Sequence, residues 1–392
     1  VLARIIEEVE LFSPSLVFVD SFRSVVQSVK LARNIDIGAA GLQHFIQALG
    51  VHMTSWQATT FLIGEYPLQE EESSPVFTVA DGILWLSQHV HRDAMVRKMQ
   101  VVKMRGQAQR PGLHTFRISE DGIEVFPRAI VTPDATMDAA QPGNQRLTMG
   151  VPLLDEMMGG GLPAGYSLLV VGPSGSGKSV LATEFLAEGV RLGEPGVIAA
   201  FEKSPNQLLS QRLHAMVSKG HVGVIDTRAL DLSIDETLHD MVAMIQKMKA
   251  KRVVIDSLSG FELALASIFR ENFRESLYRL TAVLTGMGVT VLMTAELEDR
   301  YTDLRFSGYG NAFLTDSILM LRYVEVGSQL KRVMSVVKVR ASAHSKDIRF
   351  FDIAQDCIVI GPALTNYNGI LSGQPILSGT GEAKLPSSAD AE

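Results

Sequence analysis

Only one cysteine, Cys357, occurs among the 392 residues. One thiol closes no internal disulfide and builds no cysteine-based zinc site, which points to a reducing compartment, and the cytoplasm is the expected one. Basic residues are also short. Lys plus Arg number 36 against 43 Asp plus Glu, for a net charge of −7. A chain of that sign is not built to coat itself on a phosphate backbone, so nucleic acid is not the expected partner. No apolar run reaches membrane-spanning length. The most apolar stretch, residues 280–297, is broken by Thr281, Thr285, Gly286, Gly288, Thr290 and Thr294, and reads as a helix end, a turn and a buried strand. The first twelve residues carry three glutamates and lack the basic start of a secretory signal. The chain does have apolar residues, 46%, with 20% charged, enough for packed cores in two or three domains of about 150 residues each.

A repeat organises the chain. Leu16-Val-Phe-Val-Asp20-Ser21 resembles Val253-Val-Ile-Asp256-Ser257, and Ala80-Asp81-Gly-Ile-Leu resembles Thr315-Asp316-Ser-Ile-Leu. Val102-Lys103-Met-Arg105 resembles Val337-Lys338-Val-Arg340, and Asp121-Gly-Ile resembles Asp356-Cys-Ile. Each pair is separated by 235 or 236 residues. Four matches at one spacing indicate a tandem duplication. Between the copies, Pro133, Pro142, Gly143 and scattered Ala, Asp and Gln make a linker. The expected domains are therefore 1–128, the carboxyl-terminal part of a first copy; 129–146, the linker; 147–360, a complete second copy; and 361–392, a Ser/Gly/Pro-rich disordered tail. The front of the first copy, where its phosphate loop would lie, falls before residue 1, so the first domain is expected to be incomplete and the chain truncated.

In the second copy, Tyr166–Val171 reads as an apolar strand running into glycine, and Ser179–Leu192 as a helix ended by Gly193. Further buried strands are expected at 197–201, 253–255 and 289–293, with a capped helix opening at Ser204. Strands alternating with helices imply an α/β fold around a largely parallel sheet, and the pattern turns to strand on strand after Thr315.

Between the first strand and helix stands Gly172-Pro173-Ser174-Gly175-Ser176-Gly177-Lys178-Ser179, followed by Val180, which fits the phosphate-loop pattern in the context that pattern requires. Its amides and the helix start attract phosphate, Lys178 reaches the β- and γ-phosphates, and Ser179 holds Mg²⁺. Asp256 ends a strand at the ligand-binding edge of an α/β sheet and is either the expected partner of Mg²⁺ behind its direct ligands or an ordinary helix cap. Glu202, after the next strand, is a candidate base for the attacking water or a solvated loop acid. Lys338 with Arg340, and Lys103 with Arg105, alternate on strands; each pair is either a solvent face or a set of trans-acting fingers for a neighbour's γ-phosphate. The histidines form no metal-ligand spacing, and the 16 methionines sit at core spacing.

With these residues in view, the run Thr148–Pro163 together with the phosphate loop resembles the KaiC branch of the RecA-like ATPases, as do Lys103-Met-Arg105-Gly106 and Arg117–Arg128. The resemblance covers nearly residues 1–360. It implies tandem RecA-like domains, the first incomplete, ATP and Mg²⁺ between subunits of a hexameric homo-oligomer, and ATP hydrolysis driving a switch read by signalling partners. It implies the catalytic role for Glu202 and the trans contacts for Lys338 and Arg340. It also raises serine/threonine autophosphorylation as an alternative, and DNA recombination as a third reading. Two departures matter. Clock members of the family carry paired glutamates where Glu202 is followed by Lys203, and an adjacent Ser-Thr pair where Ala312 and Phe313 stand without hydroxyls. Ser307, Thr315 and Ser317 are nearby hydroxyls that nothing singles out. A KaiC-like ATPase that is not a circadian oscillator is expected. The acidic run Glu296-Leu-Glu298-Asp299 stands where a DNA loop would need basic and aromatic residues.

Overall fold

The computed structural model describes residues 2–25, 39–56, 58–66, 75–91, 94–128, 145–201, 210–225, 233–265, 267–270, 273–297, 315–326, 328–354, 357–364, 367–368 and 376–377. The chain divides into two compact units, the first made of residues 1–87 and 99–113, the second of 88–98 and 114–392. Residues 88–98 and 114–128, read from the sequence as part of the first copy, thus group with the second unit. Glu202, the helix expected at Ser204, Ser307, Ala312, Phe313 and most of the linker and tail lie outside the described residues. Among those described, no helix is long and apolar enough to cross a membrane.

The first unit contains α1 (Leu2–Phe12), β1 (Leu16–Asp20), α2 (Ala39–Ser55), β2 (Thr59–Ile63) and α3 (Pro75–Val79). It also holds most of β3 (Gly82–His91) and β4 (Ala94–Met104), whose far ends belong to the second unit. β1 and β2 pair in parallel, Leu16 opposite Thr59 and Asp20 opposite Ile63. One face of this pair packs on Phe22, Ile46, Leu49 and Val76.

The second unit begins with the hairpin β5 (His114–Ser119) and β6 (Gly122–Phe126). It continues through β7 (Arg146–Leu147), α4 (Pro152–Met157), β8 (Leu162–Pro163), β9 (Ser167–Gly172), α5 (Lys178–Arg191), β10 (Gly196–Ala200), α6 (Gln211–Ser218), β11 (Val222–Ile225) and α7 (Ile234–Met248). β12 (Arg252–Asp256), α8 (Leu258–Ala264), α9 (Ser267–Arg270), α10 (Phe273–Gly286) and β13 (Thr290–Glu296) follow. The last described long strands are β14 (Ser317–Val326), β15 (Gln329–Val339), β16 (Arg349–Ala354) and β17 (Cys357–Ala363). Nine of these strands form one sheet in the order β11-β10-β12-β13-β9-β14-β15-β16-β17. From β11 to β14 every pairing is parallel, and from β14 outward every pairing is antiparallel. The parallel strands are largely apolar because helices cover both faces: α5 and α6 on one, α7, α8 and α10 on the other. The expected α/β architecture with a largely parallel sheet and an antiparallel extension is therefore present, and β17 reaches three residues past the boundary expected at 360.

Three of the helices start on a serine whose hydroxyl accepts an amide three residues on: Ser210 from Leu213, Ser233 from Glu236 and Ser257 from Gly260. Helix α7 then receives the β5–β6 hairpin. Arg117 grips the Glu236 carboxylate through Nε and Nη2, and Phe126 meets His239 edge-on at 5.7 Å. Beside them Lys98 lies 4.4 Å from the centre of the Phe269 ring. Burial lowers the Lys98 pKa to about 8, against the opposing pull of Asp235.

Candidate functional site

β9 is buried along its whole length and delivers the chain at Gly172 to the carboxyl edge of the sheet. There the loop 172–177 turns back into α5. Gly172 has no room for a side chain: an added Cβ would stand 2.8 Å from the Leu321 carbonyl oxygen and 2.7 Å from Ser176 Oγ. Gly177 holds φ at +104°, which disfavours any other residue, and a Cβ there would press on Ile353. The close fit on Leu321 and Ile353 fixes the loop against β14 and β16.

The loop fits a phosphate-bearing ligand. The N-cap of α5 is Gly177, which offers no capping side chain, unlike the serine-started helices, so the first turn presents amides to whatever lies in front of it. The Ser176 hydroxyl is buried and has no hydrogen-bond partner among the described residues. Lys178 folds back on the loop, donating from Nζ to the Gly172 and Pro173 carbonyls at 2.8 and 2.9 Å. That places a cation on the loop's own carbonyls. Ser174 and Gly175 form the exposed rim of the loop, while Ser179 and Val180 lie in the first turn of α5.

Asp256 ends β12, separated from β9 by β13. Thr294 on that intervening strand donates its hydroxyl to Asp256 Oδ1 and so aims the carboxylate. The peptide bond after Asp256 is cis. Glu296, at the end of β13, lies directly opposite Gly172, a position the sequence reading placed in an acidic segment but not at the loop. The Phe201 amide, one residue before Glu202, donates to the Asp256 carbonyl at 2.8 Å, so β10 delivers the chain to the same edge. The phosphate loop and Asp256 are thus brought together.

Lys338 and Arg340 are not with them. Ser317 pairs with Leu168 on one side and Val339 on the other, so this pair stands at the amino end of β9. Lys338 Nζ donates to the Thr315 carbonyl at 2.6 Å, and burial lowers its pKa, an effect the nearby Asp316 opposes. Arg340 sits one residue past β15 rather than on it, 72% exposed, with Nη1 3.5 Å from Asp316. Asp316 in turn accepts from both the amide and hydroxyl of Ser167. Lys338 is therefore half-buried rather than part of a simple solvent face. The first copy repeats the arrangement. Lys103 Nζ donates to the Phe77 and Thr78 carbonyls, Arg105 pairs with Asp81 at 3.0 Å, and the Arg105 amide bonds to the Asp81 carbonyl as the Arg340 amide does to that of Asp316.

Beneath the loop helix, Asp155 accepts the Met149 amide at 2.7 Å and anchors the turn at Gly159–Gly161 through its carbonyl. Burial raises its pKa to about 6, despite the Met149 bond. A raised carboxyl favours the folded protein at low pH, and that contribution is lost as pH climbs through about 6. Asp155→Asn keeps an oxygen for Met149 without the charge. Its thermal stability relative to the wild type is expected to improve between pH 5 and 7.5, measured by melting at both pH values; an unchanged difference would remove Asp155 from the balance.

The sequence matches the family described as "ATPase: KaiC" over residues 2–130 and again over 147–365. The circadian clock oscillator protein KaiC 1 of Synechocystis is 29% identical over 385 residues, covering 95% of this chain and 70% of the relative. The circadian clock oscillator protein KaiC of Rippkaea orientalis is 30% identical over 95% of this chain and 70% of its own. The circadian clock protein KaiC3 of Synechocystis is 28% identical over 98% of this chain and 75% of its own.

Proposed function

Because this chain belongs to the KaiC ATPase family, we propose that it is a Mg²⁺-dependent ATP hydrolase that works as a nucleotide-driven switch in a six-membered homo-oligomer. Its second copy, 147–360, binds ATP on the loop 172–180. Lys178 and the amides of α5 neutralise the phosphates, and Ser179 and Asp256 hold the Mg²⁺. When bound, Mg²⁺ offsets the charge that gathers on the β- and γ-phosphates. Glu202 orients the attacking water from the end of β10. Protein partners in the cytoplasm read the assembled state, and the net charge of −7 argues against nucleic acid as the partner.

One observation carries the reading of Lys338 and Arg340 as groups that act on a neighbouring subunit. They stand at the Ser167 end of β9, whereas the loop leaves from Gly172. Five residues of strand separate those points by about 16 Å, beyond the reach of an arginine side chain. A finger placed there is useless to its own loop and useful to another chain's. Arg340→Ala is expected to lower turnover roughly 1,000-fold, the scale of a lost arginine finger. Mixing it with Lys178→Ala chains should restore activity, since random assortment leaves about a quarter of the interfaces with an intact loop and an intact finger. Failure of the mixture to exceed either variant alone would put Arg340 outside the active site.

Hydrolysis is favoured over autophosphorylation by the burial of the two candidate acceptors among the described residues. Thr315 is 3% and Ser317 0% exposed. Incubation with Mg²⁺ and γ-labelled ATP separates the two: free phosphate without protein-bound label supports the ATPase, and label on the chain would overturn it in favour of an autokinase.

A further inference from the structure

Glu296 closes β13, the only exposed residue of a strand otherwise buried from end to end. Among the described residues its carboxylate has neither a hydrogen bond nor an ion pair. Alternation along β13 fixes which side of the sheet it serves. Leu292 packs in the core that holds Leu181 and Phe185 of α5, whereas Val291, Met293 and Ala295 pack in the core on the opposite face. Residues two apart on a strand share a face, so Thr294 and Glu296 follow Leu292 on the α5 side. Thr294 bears this out. Its hydroxyl reaches Asp256 Oδ1, and Asp256 follows Val254, a member of that same α5-side core.

Register then sets Glu296 between the two parts of the site. β13 has β12, which ends in Asp256, on one side and β9, which ends at Gly172, on the other. Glu296 is paired with Gly172 itself, and the next amide, that of Leu297, donates to the Gly172 carbonyl at 3.1 Å. Asp256 continues the β12–β13 register opposite Thr294. Glu296 therefore stands about 7 Å farther along the sheet, toward the edge where ligands bind such folds. A negative charge one strand from a phosphate-binding loop repels the ligand unless a cation lies between them. Lys178 does not fill that place, because its ammonium is drawn onto the Gly172 and Pro173 carbonyls. Mg²⁺ suits it. This ion gives up its waters reluctantly and is held through one or two carboxylates together with the phosphates, so acids rooted on neighbouring strands can share its water shell.

We propose that Glu296 is a positioning residue for the divalent cation that accompanies the nucleotide, holding the cation's waters from β13 as Asp256 does from β12. The inference rests on the reading of the loop 172–180 as the nucleotide site. It adds a selectivity to that site. With the cation present, Glu296 strengthens the complex; without it, the same charge turns the bare nucleotide away.

Binding of ADP to the full chain tests this, once with Mn²⁺ standing in for Mg²⁺ and once in excess EDTA. Free Mn²⁺ is read from its electron paramagnetic resonance, so the readout is affinity and not turnover. Glu296→Gln keeps the size of the side chain and removes its charge. At saturating ADP, Mn²⁺ affinity is expected to fall about 10- to 100-fold, the usual loss when a group behind a metal's direct ligands is removed. In EDTA the same variant should bind ADP about threefold more tightly, because one repelling charge about 6 Å away is gone. The opposite signs are what a merely structural role cannot produce, since a damaged site weakens both. Glu296→Asp, with the charge on a shorter stem, should lose less Mn²⁺ affinity than Glu296→Gln. Mn²⁺ affinity of Glu296→Gln within threefold of the wild type overturns the proposal, and so does equal weakening in both conditions. If that unchanged affinity comes with lost ATP turnover, Glu296 serves the attacking water instead. Failure of the unmodified chain to bind ADP in either condition sinks the proposed function together with this inference, whereas binding that ignores Glu296 sinks this inference alone.

Discussion

Lys178→Ala should silence ATP turnover while leaving the fold in place. The ammonium stands at the mouth of the loop and donates to two loop carbonyls, those of Gly172 and Pro173. Each neutral partner lost is worth about 1 kcal/mol, and the Gly172 carbonyl keeps a second donor in the Leu297 amide. Melting should therefore shift by a few degrees at most. The effect on chemistry is larger because the lysine is a fixed positive charge held on the loop itself. Removing one preorganised group from a site of developing negative charge costs about 100- to 1,000-fold in rate. Free-phosphate release and a thermal melt on the same sample decide the matter. Turnover within tenfold of the wild type would mean that the loop does not hold the reacting phosphates. Collapse of the melt would mean that Lys178 is part of the fold.

Arg252→Met should be the most damaging single change to stability. Arg252 is fully buried although it opens a strand of the central sheet. Its Nε donates to Glu194 Oε2 at 3.0 Å, and its Nη1 donates to the carbonyls of Thr148 and Phe185 at 2.7 and 3.1 Å. The guanidinium also lies 4.8 Å from the centre of the Phe185 ring. Gly189 makes this possible, since a Cβ there would meet Arg252 Cδ at 2.6 Å. The arginine thereby ties β12, which ends in Asp256, to α5, which begins at the phosphate loop. Removing one partner of a buried ion pair costs about 3–5 kcal/mol, because the other charge stays behind unpaired. Urea unfolding should show that loss for Arg252→Met and a smaller one for Arg252→Met combined with Glu194→Gln. A loss below about 1 kcal/mol in the single variant would mean that water enters and takes over the pairing.

The parts of this molecule that were readable in the sequence are those written in local pattern. Glycine, lysine and serine at fixed spacing between a strand and a helix identify the loop, because each residue type answers a local need of backbone or charge. The duplication was equally plain, and the two copies bear it out atom for atom where the amides of Arg105 and Arg340 meet the carbonyls of Asp81 and Asp316. What escaped depends on partners distant in the chain. Arg252 looks like an ordinary strand opening until Glu194 and Gly189 are brought beside it. Glu296 looks like the start of an acidic loop until the pairing of β13 with β9 sets it across from Gly172. The grip of Arg117 on Glu236 joins residues from different copies, and no periodicity announces it. The position of Lys338 and Arg340 was half legible. Alternation put Lys338 and Arg340 on one strand face, but only the order of strands puts them at the end of β9 remote from the loop.

The position of β9 also sets a timetable. The strand that carries the loop is made early, yet its two hydrogen-bonded neighbours are residues 291–296 and 317–320, more than a hundred positions downstream. At about 5–20 residues per second, a ribosome that has just released β9 must work on the order of ten seconds before both flanks exist. Closing such long loops is slow for entropic reasons as well. Through that interval Leu168, Leu169, Val170 and Val171 have no strand beside them, although in the finished sheet none is exposed at all. The loop 172–177 is consequently among the last features of its domain to take shape, and the nascent chain is most exposed to misassociation at a segment it later buries completely.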